Sequence, residues 1–255
     1  MKDQYSEKDL EKIEEAQRQR EVLKKYGVSF CTAEDRSYPR ELLNGKGRPP
    51  VLYYKGDIEI LNQFNNIAVI GGRKVSEAGR HLAYQTAQKI GEAGINVVNG
   101  LALGCDTEAI RGALNVGARC AVILPCGLEQ VVPKANRGLA EEILEKGGCV
   151  LSEYSIGTKI EKYRYIERDR LQSGISQGVF VVEAEEGSGT MHTVDFALRQ
   201  YKRLACYSYK MTEFSSGNKY LESMGKAQII SNQIDVEDYI DKIMEENSYE
   251  QLSFL

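Results

Sequence analysis

Gly71-Gly72-Arg73-Lys74-Val75-Ser76-Glu77 gathers the parts of an anion site in one short stretch. Paired glycines let backbone N–H groups approach a negative group, a helix opening at Glu77 offers its positive end, and Arg73 and Lys74 add full charges. The spacing is neither G-x-G-x-x-G nor a P-loop, so a tight strand-to-helix turn with Ser76 as N-cap explains the same residues without a ligand. A second stretch, Gly187-Ser188-Gly189-Thr190, places small residues and hydroxyls where a helix through Leu198 begins, which suits a phosphate or a nucleobase edge. In Asn99-Gly100-Leu101-Ala102-Leu103-Gly104-Cys105-Asp106, turn and cap chemistry accounts for every residue, with Asp106 placed to cap a helix from Thr107.

A fourth segment, residues 159–170, mixes Lys159, Lys162, Arg164, Arg168 and Arg170 with Tyr163 and Tyr165. Cations that pair with phosphates, interleaved with rings that stack on bases, are the elements of single-strand recognition. Glu161, Glu167 and Asp169 dilute that charge, and a salt-bridged solvated surface reads the same way.

These loops need a scaffold, and the hydrophobic pattern supplies one. Apolar runs at 67–70, 95–98, 120–124, 149–151 and 179–182 alternate with amphipathic stretches at 77–93, 107–116 and 140–146. Strands apolar on both faces and separated by helices predict an α/β fold: a doubly wound, mostly parallel Rossmann-like sheet with a short helical N-terminal appendage. Ligands of such folds sit beyond the carboxyl ends of the strands, where the glycine loops fall. Residues 1–60 read as the helical and extended appendage, with a solvated helix at 10–26 and prolines holding 31–56 extended. Residues 61–233 form the core. Residues 234–255 form a C-terminal helix and tail, in which Ile240 and Ile243 give an apolar face that packs on the core.

Composition sets outer bounds. The 255 residues hold one large core, with 42% hydrophobic and 27% charged residues. A net charge of −4 argues against a uniformly basic binder, so a polyanion must be held by a local patch. No apolar stretch approaches the roughly eighteen residues that span a bilayer, and a cytoplasmic protein is expected. The six cysteines include no C-x-x-C pair and the two histidines lie far apart, so neither a metal centre nor an essential thiol is expected.

Read in order, Tyr38-Pro39, Pro49-Pro50-Val51-Leu52-Tyr53-Tyr54-Lys55-Gly56, Ala68-Val69-Ile70-Gly71-Gly72-Arg73, Asn99 to Asp106, Arg111-Gly112-Ala113-Leu114, Pro133-Lys134-Ala135-Asn136, Leu151-Ser152-Glu153-Tyr154, Arg168-Asp169-Arg170, Ser173-Gly174-Ile175-Ser176 and Val181-Val182-Glu183-Ala184 with Ser188-Gly189-Thr190 resemble the signature blocks of the DprA/Smf family. Each block is weak alone; their shared order over most of the chain is specific. The resemblance implies a Rossmann-like core that binds single-stranded DNA in a basic pocket, dimerises, and helps load a RecA-type recombinase, by binding and without turnover. It implies that Arg73 contacts phosphate and that Arg168 and Arg170 line the same groove; no cofactor and no membrane are expected. The chain departs from the family pattern at Leu103, where an arginine is usual, at Ile110, where a histidine is usual, and at Asp169, where an asparagine is usual. The first and third remove or offset positive charge. The stretch after the core is short for the winged-helix domain of many relatives, so a trimmed core is expected, in transformation or in a defence role.

Two other readings remain. A Rossmann-like nucleotide sensor or nucleotide-processing enzyme would use the same loops; the LOG phosphoribohydrolases resemble P-G-G-x-G-T-x-x-E, and Thr193 stands where their catalytic glutamate would be. An interaction platform would use the charged N-terminal helix and the segment 236–244.

Overall fold

Branched apolar residues on both sides of a pleat are buried only between two layers of helices, and that demand sets the architecture. The computed structural model describes residues 7–43, 45 and 47–253; residues 1–6 of the charged N-terminal run and 254–255 of the expected tail lie outside the described residues. Nine strands are described: β1 (Ser29–Thr32), β2 (Val51–Gly56), β3 (Asn66–Ile70), β4 (Asn96–Asn99), β5 (Cys120–Ile123), β6 (Cys149–Ser152), β7 (Gly178–Val181), β8 (Arg203–Tyr207) and β9 (Gln228–Ile230). They form one sheet in the order β1-β2-β6-β5-β4-β3-β7-β8-β9. Pairing is parallel throughout except at β1 with β2 and β2 with β6. The doubly wound, mostly parallel sheet expected from the sequence is therefore present. The extended part of the N-terminal appendage belongs to it, as two antiparallel strands that continue the sheet beyond β6.

Along β3 the faces alternate. Ile67 and Val69 meet one apolar layer, Ala68 and Ile70 the other. The first layer carries α4 (Glu77–Glu92), α5 (Cys105–Asn115), α6 (Arg137–Glu145) and α10 (Gln233–Ser253). In α10 the buried Val236, Tyr239, Ile240 and Ile243 fall on one helical stripe, so this helix docks on its own core. The opposite face carries α7 (Lys162–Ile175) with the short α2 (Arg40–Leu43) and α3 (Ile60–Gln63), and beyond them α8 (Thr190–Arg199) and α9 (Ser216–Met224). α1 (Glu7–Lys25) touches the core through Leu23, while residues 14–22 are exposed.

From β3 the chain steps through β4 and β5 to β6 in one direction. It then crosses back to β7, on the other side of β3, and steps through β8 to β9. At β3 and β7 successive connections leave in opposite directions, which opens a crevice beyond their carboxyl ends.

Candidate functional site

That crevice is a cleft of about 450 Å³. One wall is the loop from β3 to α4. A fully buried carboxylate, Glu183 just after β7, fixes this loop from below. Ser76 donates to it twice, through its backbone N–H to Oε2 at 2.8 Å and through its hydroxyl to Oε1 at 2.9 Å. The Phe214 N–H adds a third bond at 2.8 Å, and the Gly72 N–H reaches the Glu183 carbonyl at 2.7 Å. Ser76 is also the N-cap of α4, accepting from the Gly79 N–H at 3.0 Å. A side chain on Gly71 would collide with Cys105, so the loop lies flat against the start of α5. With its base tied down, the loop turns its two cations outward: Arg73 lies over the Tyr165 ring at 5.3 Å, and Lys74 over Phe214 at 4.0 Å. Both remain exposed, and an aromatic face holds each charge without neutralising it.

The floor is built around Arg168, which is 5% exposed. Its Nη1 donates to the Ile123 carbonyl at 2.7 Å and its Nε to Asp169 Oδ1 at 3.1 Å. Gly100 admits the guanidinium, because any side chain there would occupy the same space. Asp106, expected as a helix cap, instead folds back on its own loop and accepts from the Gly100 and Ala102 N–H groups at 3.0 and 3.1 Å. α5 opens at Cys105, two residues earlier than a cap at Asp106 requires, with Gly104 in the cap position. Burial pushes the Asp106 carboxyl up to about 6, against the downward pull of Arg168 and the two amides. Burial also raises Asp169, opposed by Arg168. Asn136 secures the same loop, donating to Leu101 O and Thr107 Oγ1, both at 2.8 Å.

The third wall is the start of α8. Gly189 is the N-cap and offers no side-chain partner to the first turn. The Ser188 hydroxyl is buried without a hydrogen bond among the described residues. Ser188, Gly189 and Thr190 face the cleft together with His192 and Thr193.

Of the residues singled out from sequence, the fold brings together Gly71, Gly72, Arg73, Lys74, Arg168, Ser188, Gly189 and Thr190. Ser76 lies beneath the loop as a buried cap. Arg170 does not line the cleft; it forms a two-bond pair with Glu153, at 2.8 and 2.5 Å. Arg164 stacks on Tyr154 and Tyr163 and donates to Lys159 O at 2.6 Å, while Lys162 is exposed at the start of α7 and Gly187 is exposed just before the α8 turn. Sequence reasoning passed over Glu183 as a clamp, and Asp106, Asp169, Gln172, His192 and Thr193 as lining. One signal was available for α7: Tyr165, Arg168, Asp169 and Gln172 follow the i, i+3, i+4, i+7 stripe of a helix. All six cysteines are buried and unpaired, and burial pushes the Cys126 thiol up to about 11. Among the described residues no group of acids, histidines and cysteines is placed to hold a metal, and no helix is long and apolar enough to cross a membrane.

The profile of the DNA recombination-mediator protein A family matches residues 29–242. Protein Smf of Synechocystis sp. is 35% identical over 171 residues, covering 66% of this chain and 43% of its own length. The DNA processing protein DprA of Streptococcus pneumoniae is 34% identical over 172 residues, covering 68% and 60%. Among solved structures, the DNA processing protein A of Helicobacter pylori, described for its single-stranded-DNA binding mode, superposes with a TM-score of 0.75 at 27% identity, covering 87% of this chain and 98% of that one. The chain thus spans about half the length of the curated relatives it matches.

Proposed function

This chain belongs to the DNA recombination-mediator protein A family, and from that premise we propose that its cleft binds single-stranded DNA, as a DNA-processing protein that holds the strand without chemical turnover. One observation carries the reading. The Arg73-Lys74 loop, the uncapped start of α8 and the Tyr165 ring converge on one crevice at the switch point of the sheet. Arg73, Lys74 and the amides around Gly71, Gly72, Ser188, Gly189 and Thr190 take phosphates, while Tyr165 offers a face to a base. Lys162 and Arg164, with the exposed ring of Tyr163, continue the track along the start of α7. Arg168 shapes the floor, and Arg170 braces α7 against Glu153. Action in the cytoplasm, as a homodimer and with a RecA-type recombinase, in recombination or a related defence role, completes the proposal.

A nucleotide sensor is the second reading. A volume of about 450 Å³ falls within the roughly 300–1,000 Å³ of small-ligand pockets.

Fluorescence anisotropy with a labelled oligothymidylate, the matching duplex and unlabelled mononucleotides as competitors separates the two. Preferential retention of the single strand is expected, with log affinity falling linearly in log salt. Arg73→Ala should weaken binding to every sequence alike and lower that slope by about 0.7, the release associated with one phosphate of a single strand. Unaltered affinity and slope in a folded variant would remove Arg73 from the site. Nucleotide binding with no strand binding would establish the sensor instead.

A further inference from the structure

Rim and floor of the cleft differ in chemistry. The rim offers cations and N–H groups, whereas Asp169 and Gln172, one turn apart on α7, put oxygen atoms on the floor. Both side chains are almost wholly buried, at 7% and 3% exposed. Gln172 Nε2 donates to Asp169 Oδ1 at 2.7 Å, and Arg168 Nε donates to the same oxygen at 3.1 Å. An ionised carboxylate only accepts, so the Gln172 amide nitrogen is fixed toward Asp169 and its Oε1 is left as an acceptor. Neither Asp169 Oδ2 nor Gln172 Oε1 has a hydrogen-bond partner among the described residues, and neither atom is sealed from solvent. Two held acceptors therefore wait at the bottom of a cleft whose rim is built for anions.

Phosphate oxygens bring no proton to such a floor, and a carboxylate repels them. A base edge with adjacent N–H donors fits it. Guanine presents two such donors side by side, N1–H and the 2-amino group, whereas the amino groups of adenine and cytosine stand next to an acceptor nitrogen and thymine carries one N–H between two carbonyls. We infer that Asp169 and Gln172 form the floor of a base pocket that selects guanine in single-stranded DNA, an inference that rests on the strand-binding reading above. The phosphate of the selected nucleotide stays at the rim with Arg73 and Lys74, and Tyr165, one turn before Asp169, flanks the base.

The experiment is anisotropy with the full chain and labelled oligothymidylates of about twelve nucleotides that carry one central guanine, hypoxanthine or adenine, beside the all-thymine strand. The guanine strand should bind about fivefold tighter than the all-thymine strand, or better, as one well-made base contact allows. Hypoxanthine lacks the 2-amino group and should lose most of that gain. Asp169→Asn keeps an oxygen for Arg168 but turns an amide donor toward the donors of guanine. It should bind all four strands alike. Equal binding of guanine, hypoxanthine and thymine strands by the wild type overturns the guanine pocket and leaves strand binding standing. A guanine preference that survives in Asp169→Asn, with its melting temperature intact, overturns the role of Asp169. No binding to any strand overturns the DNA reading and this inference with it. The hypoxanthine comparison uses the unaltered protein, so it decides the question even if the variant folds poorly.

Discussion

Arg168 and Arg170 stand two positions apart on α7, carry the same charge, and have opposite circumstances. A separation of two residues turns a side chain about 200° around a helix, so one arginine enters the sheet side of the cleft and the other leaves it. Arg168 is buried between Ile123 O and Asp169, with Asp106 near, in a space that Gly100 leaves open. Arg170 spans to Glu153 at the end of β6, and both partners are partly open to solvent. Cationic residues counted along a sequence say nothing of which have spare charge for a ligand. In this helix both arginines are already paired within the protein, and the unneutralised charge of the cleft sits across from them, on Arg73 and Lys74.

The comparison breaks most visibly at Arg168. Arg168→Ala leaves the Asp106 and Asp169 carboxylates buried without their cation, which should cost about 3–5 kcal/mol in urea unfolding at neutral pH. Because both acids are already pushed upward by burial, removing the cation pushes them further, and protonation relieves the strain. The deficit should therefore shrink on acidification. A deficit below about 1 kcal/mol, the range of surface pairs, would show that Arg168 is not the keystone of the floor.

Glu183 comes next. Glu183→Gln replaces an acceptor that receives three N–H or O–H groups with an amide that carries donors of its own. Facing donors against donors should cost about 1–3 kcal/mol, and it should loosen the β3–α4 loop, so strand affinity should fall beyond the unfolded fraction. A variant that loses stability yet keeps affinity per folded molecule would make Glu183 a core brace with no hold on the loop.

The sheet was legible because its inner strands are apolar on both faces: the runs at 67–70, 120–124 and 179–182 each became a strand within a residue or two. β8 and β9 were missed because no glycine turn follows Leu204-Ala205-Cys206-Tyr207, and β1 because four residues with one buried side chain give no period to read. The rim of glycines and cations was legible for a local reason: glycines, cations and a cap lie next to one another in sequence. The floor was not. Glu183 acts across 107 residues on Ser76, and Arg168 across 45 on Ile123. Only the topology, which lays β7 beside β3, joins such residues.

Arg170 sharpens the contrast with a smaller effect. Its pair with Glu153 is partly solvated, so Arg170→Ala should cost about 1 kcal/mol and leave the salt slope of strand binding unchanged. A slope lowered as far as in Arg73→Ala would place Arg170 on the strand and return the two arginines to one role.

The smallest expected effect is a slope of stability against pH, and its sign separates the floor from the surface. Burial raises the Asp106 carboxyl from 3.8 to about 6 and raises Asp169 in the same direction. A carboxyl raised by folding binds its proton more tightly in the native chain than in the unfolded one. Between about pH 4 and 6 the native state then holds more protons, so this contribution is complete below the unfolded value and is lost as pH rises through the folded one. Asp35 and Asp238 act with the opposite sign, since hydrogen bonds from the Thr32 amide and from Lys242 hold their carboxyls down. Their contribution is lost on acidification below about pH 4, outside the window of the floor. Urea midpoints between about pH 4.5 and 6.5 should therefore fall with rising pH more steeply in the wild type than in Asp106→Asn, which has no proton to take up at that position. Asn keeps an oxygen for the Gly100 and Ala102 amides, so the loop is retained and the difference reports the charge. Parallel slopes in the two proteins would mean that Arg168 fully offsets the burial of Asp106, and that the charge of this carboxyl adds nothing to the pH dependence of the floor.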